Sequence, residues 1–301
     1  MEKVAVLLSA YNGEKYIREQ LESILAQTYS NIEIYVRDDG SKDGTVEILE
    51  EYESAGKIHL EKGQNVGFIK SFEWLIANSG MAAYYAFSDQ DDVWFEDKIE
   101  RAVSKMEAEP KDIPVLYFSN YDFYDGDLNY ISTKNYINPN ISFLNSLVDC
   151  LPLGFNTVFN YKAKAMVTEE MPEKSTGHDW WMYMVCAGFG KVIHDTHSTV
   201  KYRRTGSNVS DGGANFWKFQ VWRFKKFFLN DHFAVVHEHI KDFRRIYYDR
   251  LSPENQKYID MFSMDGFHPL NQLKKTFYPK KMRQRAIDEL FIRIIFLIGK
   301  L

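Results

Sequence analysis

Two periodicities organise the first 120 residues. Short, largely apolar runs, Val4 to Ser9, Ile32 to Val36, Ile58 to Leu60, Tyr84 to Phe87 and Val115 to Phe118, predict the strands of a mainly parallel sheet. Between them, apolar residues recur at helical spacing. The sets are Ile17, Leu21, Ile24 and Leu25; Val46, Leu49 and Tyr52; Phe68, Phe72, Leu75 and Ile76; and Ile99, Ala102, Val103 and Met106. Asn12 and Asp43 stand where they would cap the first two helices. Alternating strand and helix predicts an α/β fold, a doubly wound, mainly parallel sheet with flanking helices and right-handed crossovers. From Asp122 to Ser210 the pattern is mixed, and from Asn215 onward it is helical and rich in aromatic and basic residues. The expected organisation is a domain over 1–210 and a helical C-terminal extension over 211–301.

Composition narrows the class. The 301 residues carry a net charge of −5, so no global basic field exists and nucleic acid is not an expected partner. Cys150 and Cys186 have no close Cys/His spacing for zinc and read as buried thiols in a reducing compartment. Met1-Glu2-Lys3 followed by Val4 to Leu8 lacks the length and flanks of a signal peptide. No stretch reaches the roughly 18 apolar residues of a membrane span. The expected location is cytoplasmic.

Clustered carboxylates are the main candidate chemistry. Ser88-Asp89-Gln90-Asp91-Asp92 follows an apolar strand, at the strand end where parallel sheets bind ligands. Like charges this close repel unless solvent or a cation separates them, and Mg²⁺ or Mn²⁺ would take one or two of the oxygens and complete its shell with diphosphate and water. A solvated acidic loop is the plain alternative. Asp38-Asp39-Gly40-Ser41 ends another strand; its carboxylate would accept from a base or ribose, although an Asx-turn gives the same sequence. His178-Asp179-Trp180-Trp181 sets a carboxylate against indoles, where desolvation favours proton uptake and suits a general base; a helix cap followed by core tryptophans is the other reading. Tyr202-Arg203-Arg204-Thr205 offers guanidinium groups to diphosphate, or is an ordinary turn. Asn65 and Gly67 open a helix whose N-terminus would attract phosphate.

Taken in order, these segments resemble family 2 glycosyltransferases of the GT-A fold. The pieces are VAVLLSAYNGEKYIREQLESILAQTYSNIEIYVRDDGSKDGT, NVGF, SDQDDVW, GHDWW and YRRTGSN, across residues 4 to 210. The resemblance implies that Asp39 contacts the nucleotide base beside Ala10 and Tyr11. Asp91 would coordinate the metal, with Asp89 near the ribose and shared with the metal. Asp179 would act as general base in a single, inverting displacement, Arg203 or Arg204 would assist the departing diphosphate, and His178, Trp180 and Trp181 would face the acceptor. Thr205 stands where many relatives carry a metal- or phosphate-reaching histidine, and threonine supplies no nitrogen ligand. SDQDDVW with HDWW is most similar to bacterial rhamnosyltransferases that build surface polysaccharides from dTDP-rhamnose; related enzymes use UDP-hexoses.

The segment Asn215 to Asn230, NFWKFQVWRFKKFFLN, and the later Lys274, Lys275, Lys280, Lys281, Arg283 and Arg285 before the apolar Leu290 to Ile298 suit a membrane interface and an acceptor on a lipid diphosphate. A helical cap or a homodimer contact accounts for the same pattern. Two other functions fit the fold. A non-catalytic nucleotide-sugar binding module would bind donor without turnover. A nucleotidyltransferase would carry a Gly-rich, basic loop after the first strand, which Ala10-Tyr11-Asn12-Gly13 lacks.

Overall fold

The computed structural model describes residues 1–205 and 232–301. These fall into two compact units. The first comprises Met1–Asn138, Leu151–Met171 and Gly177–Thr205; the second joins Pro139–Cys150 and Pro172–Thr176 to the described residues 232–301.

The first unit is built on one sheet. Its N-terminal part is the expected one: β1 (Val4–Ala10) lies between β2 (Ile32–Asp38) and β4 (Tyr84–Ser88), with β3 (His59–Lys62) beyond β2, all parallel. β1 is apolar on both faces because helices cover both, and Val4 to Leu8 are fully buried. The crossovers are α1 (Ile17–Leu25), α2 (Thr45–Ser54) and α3 (Phe68–Asn78), and α4 (Lys98–Met106) follows the acidic turn. Buried positions follow the predicted stripes, except that Leu25 and Phe68 are exposed.

Beyond β4 the sheet is mixed. After β5 (Val93–Trp94) come β6 (Val115–Tyr124) and β7 (Tyr130–Lys134), then β8 (Thr157–Asn160) and β9 (Lys191–Arg203). The order is β3-β2-β1-β4-β8-β6-β9-β5, with β7 on β6. β8 runs antiparallel to β4 and β6, whereas β9 runs parallel to β6. The strand pattern of β9 is hidden by its polar residues. It is nevertheless thirteen residues long and closes against β5 through Val93↔Lys201 and Trp94↔Val200. That pairing carries the end of β9 to the acidic turn.

The helices α6 (Tyr161–Glu169) and α7 (His178–Phe189) complete this unit; the short α5 (Phe143–Ser146) belongs to the second. The second unit also holds α8 (His232–Tyr247), α9 (Pro253–Phe262), α10 (Pro269–Thr276) and α11 (Ala286–Leu297), helical as the sequence predicts. Within it, the buried Asp242 accepts the backbone N–H groups of Glu173 and Lys174 at 2.6 and 3.1 Å. The aromatic segment Asn215 to Asn230 lies outside the described residues.

Candidate functional site

Four strand ends build the site, because β3, β2, β1 and β4 run parallel and finish on one edge. The loops after β1 and β2 are laced together. Ser41 Oγ accepts Asn12 N–H at 2.9 Å, Asn12 Oδ1 accepts Lys42 N–H at 2.8 Å, and Thr45 Oγ1 accepts Gly13 N–H at 2.8 Å. Asn12 is therefore not the cap of α1. It sits in the left-handed region at φ 49° and spends its amide on the neighbouring loop. Asp43 likewise precedes the cap Gly44, accepting Thr45 N–H at 3.2 Å and Glu14 N–H at 3.2 Å.

Asp38 forms the Asx-turn, accepting the N–H groups of Gly40 and Ser41 at 3.0 and 3.1 Å. Asp39 is buried and ion-paired with Arg37. Its oxygens also accept Val66 N–H at 3.0 Å and Gly67 N–H at 2.9 Å. The N–H groups of Val66 and Gly67, just ahead of the first turn of α3, are thus held by the chain's own carboxylate, so the Gly67 N–H is not open to phosphate. Gly67 reaches this position at φ +84°, where other residues are strained. Beside Asp39, whose own N–H donates to Ala10 carbonyl at 2.7 Å, the Tyr11 side chain is exposed.

The acidic turn follows β4. Asp89 and Asp91 are half-buried and Asp92 is wholly buried. Burial first, then the charges of Asp91 and Asp179, pushes the Asp89 carboxyl up to about 7. Burial also raises Asp91, and raises Asp92 well above the carboxylate range. Asp92 accepts Arg203 N–H at 3.0 Å through Oδ1, while its buried Oδ2 has no hydrogen-bond partner. The counter-charge is Lys98, buried at the start of α4 with its ammonium 3.9 Å from the Trp94 ring centroid and bonded to Phe155 carbonyl. Burial pulls Lys98 down to about 7 against the attraction of Asp92 and Asp89.

Arg203 departs from its expected role. Its guanidinium is buried, paired with Glu19 and donating to the carbonyls of Asp91 (2.9 Å) and Gly126 (2.7 Å). It braces the acidic turn from behind instead of reaching into solvent for a diphosphate. Arg204 N–H donates to Tyr124 carbonyl at 2.8 Å, and its guanidinium lies 5.8 Å from the Phe123 ring centroid. Thr205 lies just past β9, and the rest of that loop falls outside the described residues.

Asp179 is half-buried on the first turn of α7, and Oδ2 accepts Gly154 N–H at 3.1 Å, tying it to the turn before β8. Its charge acts on Asp89, so the structure brings together two sequence-distant acidic elements. His178 and Trp181 do not form an acceptor surface. Both are buried, and the imidazole is stacked on Phe72 at 3.9 Å between centroids. Only Trp180 of the three is partly open. Sequence reasoning also missed Lys98 and Glu19, and it named Gln90 and Asp92 only as members of the acidic cluster. Lys98 had a usable signal, since it stands four residues before Ala102 on the buried face of α4.

Among the described residues, no group of three or more His, Cys, Asp or Glu side chains is arranged to hold a metal ion. Asp89 and Asp91 supply two carboxylates, a donor set that fits a Mg²⁺ or Mn²⁺ ion completed by ligand oxygens and water.

Comparison with known proteins gives the family and the fold. The model for glycosyl transferase family 2 matches residues 5–164. The dTDP-rhamnosyl transferase RfbG of Shigella flexneri is 40% identical over 127 residues, 40% of either chain. The matched stretch spans 37% to 40% of the length of such curated relatives. Among solved structures, S. aureus TarS in complex with UDP-GlcNAc superposes at a TM-score of 0.57 with 13% identity, covering 99% of this chain and 92% of that one. A mannosyltransferase from Pyrobaculum calidifontis in complex with GDP-Man and Mn²⁺ gives 0.52 and 16%, covering 99% and 86%. The sheet order, the acidic strand ends and the matched half of the chain make this protein a member of glycosyl transferase family 2, with the GT-A fold.

Proposed function

We propose that this chain is an inverting, metal-dependent glycosyltransferase, moving a sugar from a nucleotide diphosphate to a hydroxyl of a growing bacterial surface glycan or glycoconjugate. What supports the reading is the grouping of Tyr11 and Asp39 with the Asp89–Asp91 turn on one sheet edge, with Asp179 close enough for its charge to act on Asp89. Tyr11 and Asp39 border the nucleotide, and Asp89 and Asp91 border the diphosphate. Asp179 takes the proton from the acceptor hydroxyl as its oxygen bonds to the anomeric carbon and the bond to the diphosphate oxygen breaks. A Mg²⁺ or Mn²⁺ ion held by Asp91 and Asp89 would supply positive charge opposite the departing diphosphate. The preferred donor is dTDP-rhamnose, on the likeness to RfbG, with a UDP-hexose as the alternative.

The acceptor in this reading is lipid-linked and met at the cytoplasmic face of the membrane. No helix among the described residues is long and apolar enough to cross one. Instead α11 exposes Ile287, Leu290, Ile294 and Leu297, a stripe at helical spacing, with Arg285 and Lys300 at its two ends. Residues 264–301 hold eight Lys/Arg against three Asp/Glu, in a chain whose net charge is −5. Lys275 is buried and Lys280, Arg283 and Arg293 are ion-paired, so the exposed Lys274, Lys281, Arg285 and Lys300 are the cations offered to an anionic lipid surface.

Donor hydrolysis tests the enzyme reading. dTDP-rhamnose, UDP-glucose, UDP-galactose and UDP-N-acetylglucosamine are compared with Mn²⁺ and with EDTA. Turnover of one donor, abolished by EDTA, is expected; binding without turnover across donors and acceptors would identify a non-catalytic module instead. Co-sedimentation with phosphatidylglycerol vesicles, lost on Leu290→Glu with Ile294→Glu, tests the membrane contact, and a dimer disrupted by that pair would replace it.

A further inference from the structure

β1 and β4 stop pairing at Leu8↔Ser88, yet the two chains remain joined beyond that point by a side chain. Gln90 Oε1 accepts Tyr11 N–H at 2.8 Å, and Gln90 Nε2 donates to Tyr11 carbonyl at 2.9 Å. One amide side chain thus makes the two bonds that the N–H and C=O of one residue in an antiparallel pair would make. The place it occupies is reserved by Gly13. A Cβ at Gly13 would lie 2.6 Å from Gln90 Cδ, and closer still to Oε1. Gly13 is buried with no left-handed φ, so what the position requires is the absence of a side chain, not backbone freedom.

We propose that Gln90 is a positioning residue that locks the nucleotide-side loop at Tyr11 to the carboxylate turn at Asp89 and Asp91. Its amide holds the backbone of Tyr11, whose exposed ring stands at the end of β1. The same amide fixes the residue between the two carboxylates. Base recognition and diphosphate recognition are therefore set in one frame, and ligand binding does not have to order two loops separately. The inference rests on the donor-site reading above.

The two partners allow a test in which one variant checks the other. Gln90→Met keeps the side-chain length and removes both hydrogen bonds. Gly13→Ala leaves the amide intact and displaces it. Binding of UDP, dTDP and GDP, each with Mn²⁺, is measured by calorimetry for the parent, both single variants and the double variant, with thermal unfolding beside it. Each single change is expected to weaken the preferred nucleotide roughly tenfold, the scale of two exchanged hydrogen bonds. The double variant is expected to be no weaker than either single one, because both remove one interaction. In turnover, donor KM rises more than kcat falls. Additive losses, or lower unfolding temperatures with unchanged affinity, overturn the lock while leaving the donor site standing. A parent protein that binds none of the three nucleotides overturns the donor-site reading and the lock with it.

Discussion

Replacing His178 with leucine should remove one identifiable component of the acid sensitivity of this protein. The imidazole is 6% exposed, stacked on Phe72 and edge-on to Phe87 at 4.5 Å, and neither ring nitrogen has a hydrogen-bond partner. Burial lowers it from the ordinary value of 6.5 to about 4, with Asp179 pulling weakly the other way. The folded state thus binds this proton less readily than the unfolded state. Stability from this residue is intact above pH 6.5, is lost as pH falls from 6.5 to 4, and is lost no further below 4. At 1.36 kcal/mol per pKa unit the full loss is on the order of 3 kcal/mol, most of it between pH 7 and 4.5. Acidic groups such as Asp92 contribute with the opposite sign, but they are common to parent and variant and cancel in the difference. Urea unfolding followed by tryptophan fluorescence at half-unit steps from pH 7 to 4.5 measures it. His178→Leu should show a shallower decline, the two curves diverging by roughly one proton per molecule. Parallel curves would refute the claim that a neutral, desolvated imidazole sits in this aromatic packing.

Asp179→Asn keeps the shape of the carboxylate and removes its basicity; transfer should fall roughly 10²- to 10⁴-fold while nucleotide affinity by calorimetry is unchanged. Full transfer by this variant would eliminate Asp179 as the base. Arg203→Leu removes the guanidinium donors from the Asp91 and Gly126 carbonyls and should cost on the order of 3 kcal/mol in chemical unfolding. Arg203→Lys should recover less than half of that, because one ammonium does not reproduce a planar fork.

The parallel half of the sheet was legible because β1 and β4 are apolar on both faces and its helices carry clean stripes; β2 runs two residues past the predicted Val36, to Asp38. The strand β9 was not, since Lys191–Arg203 alternates exposed polar residues with few apolar ones and gains its place by pairing with β6. The candidate site divides the same way. Asp39, Asp89, Asp91 and Asp179 stand out as carboxylates at strand and helix ends. His178 looked equally informative in sequence, but a histidine at the start of a helix does not reveal whether it will face solvent or Phe72. Gln90 was passed over because its role depends on Gly13, 77 positions away.

Local sequence determined which residue types end each strand and which turns they form, because strand, helix and turn preferences act over a few neighbours. Only the tertiary structure decided which of those groups remain open to a ligand. Asp39 closes the N–H groups of Val66 and Gly67, and Arg203 is drawn beneath Asp91 by the β5–β9 pairing. Burial and hydrogen-bond partnership are set by chain segments far apart in sequence, and they govern what a carboxylate or a guanidinium can do.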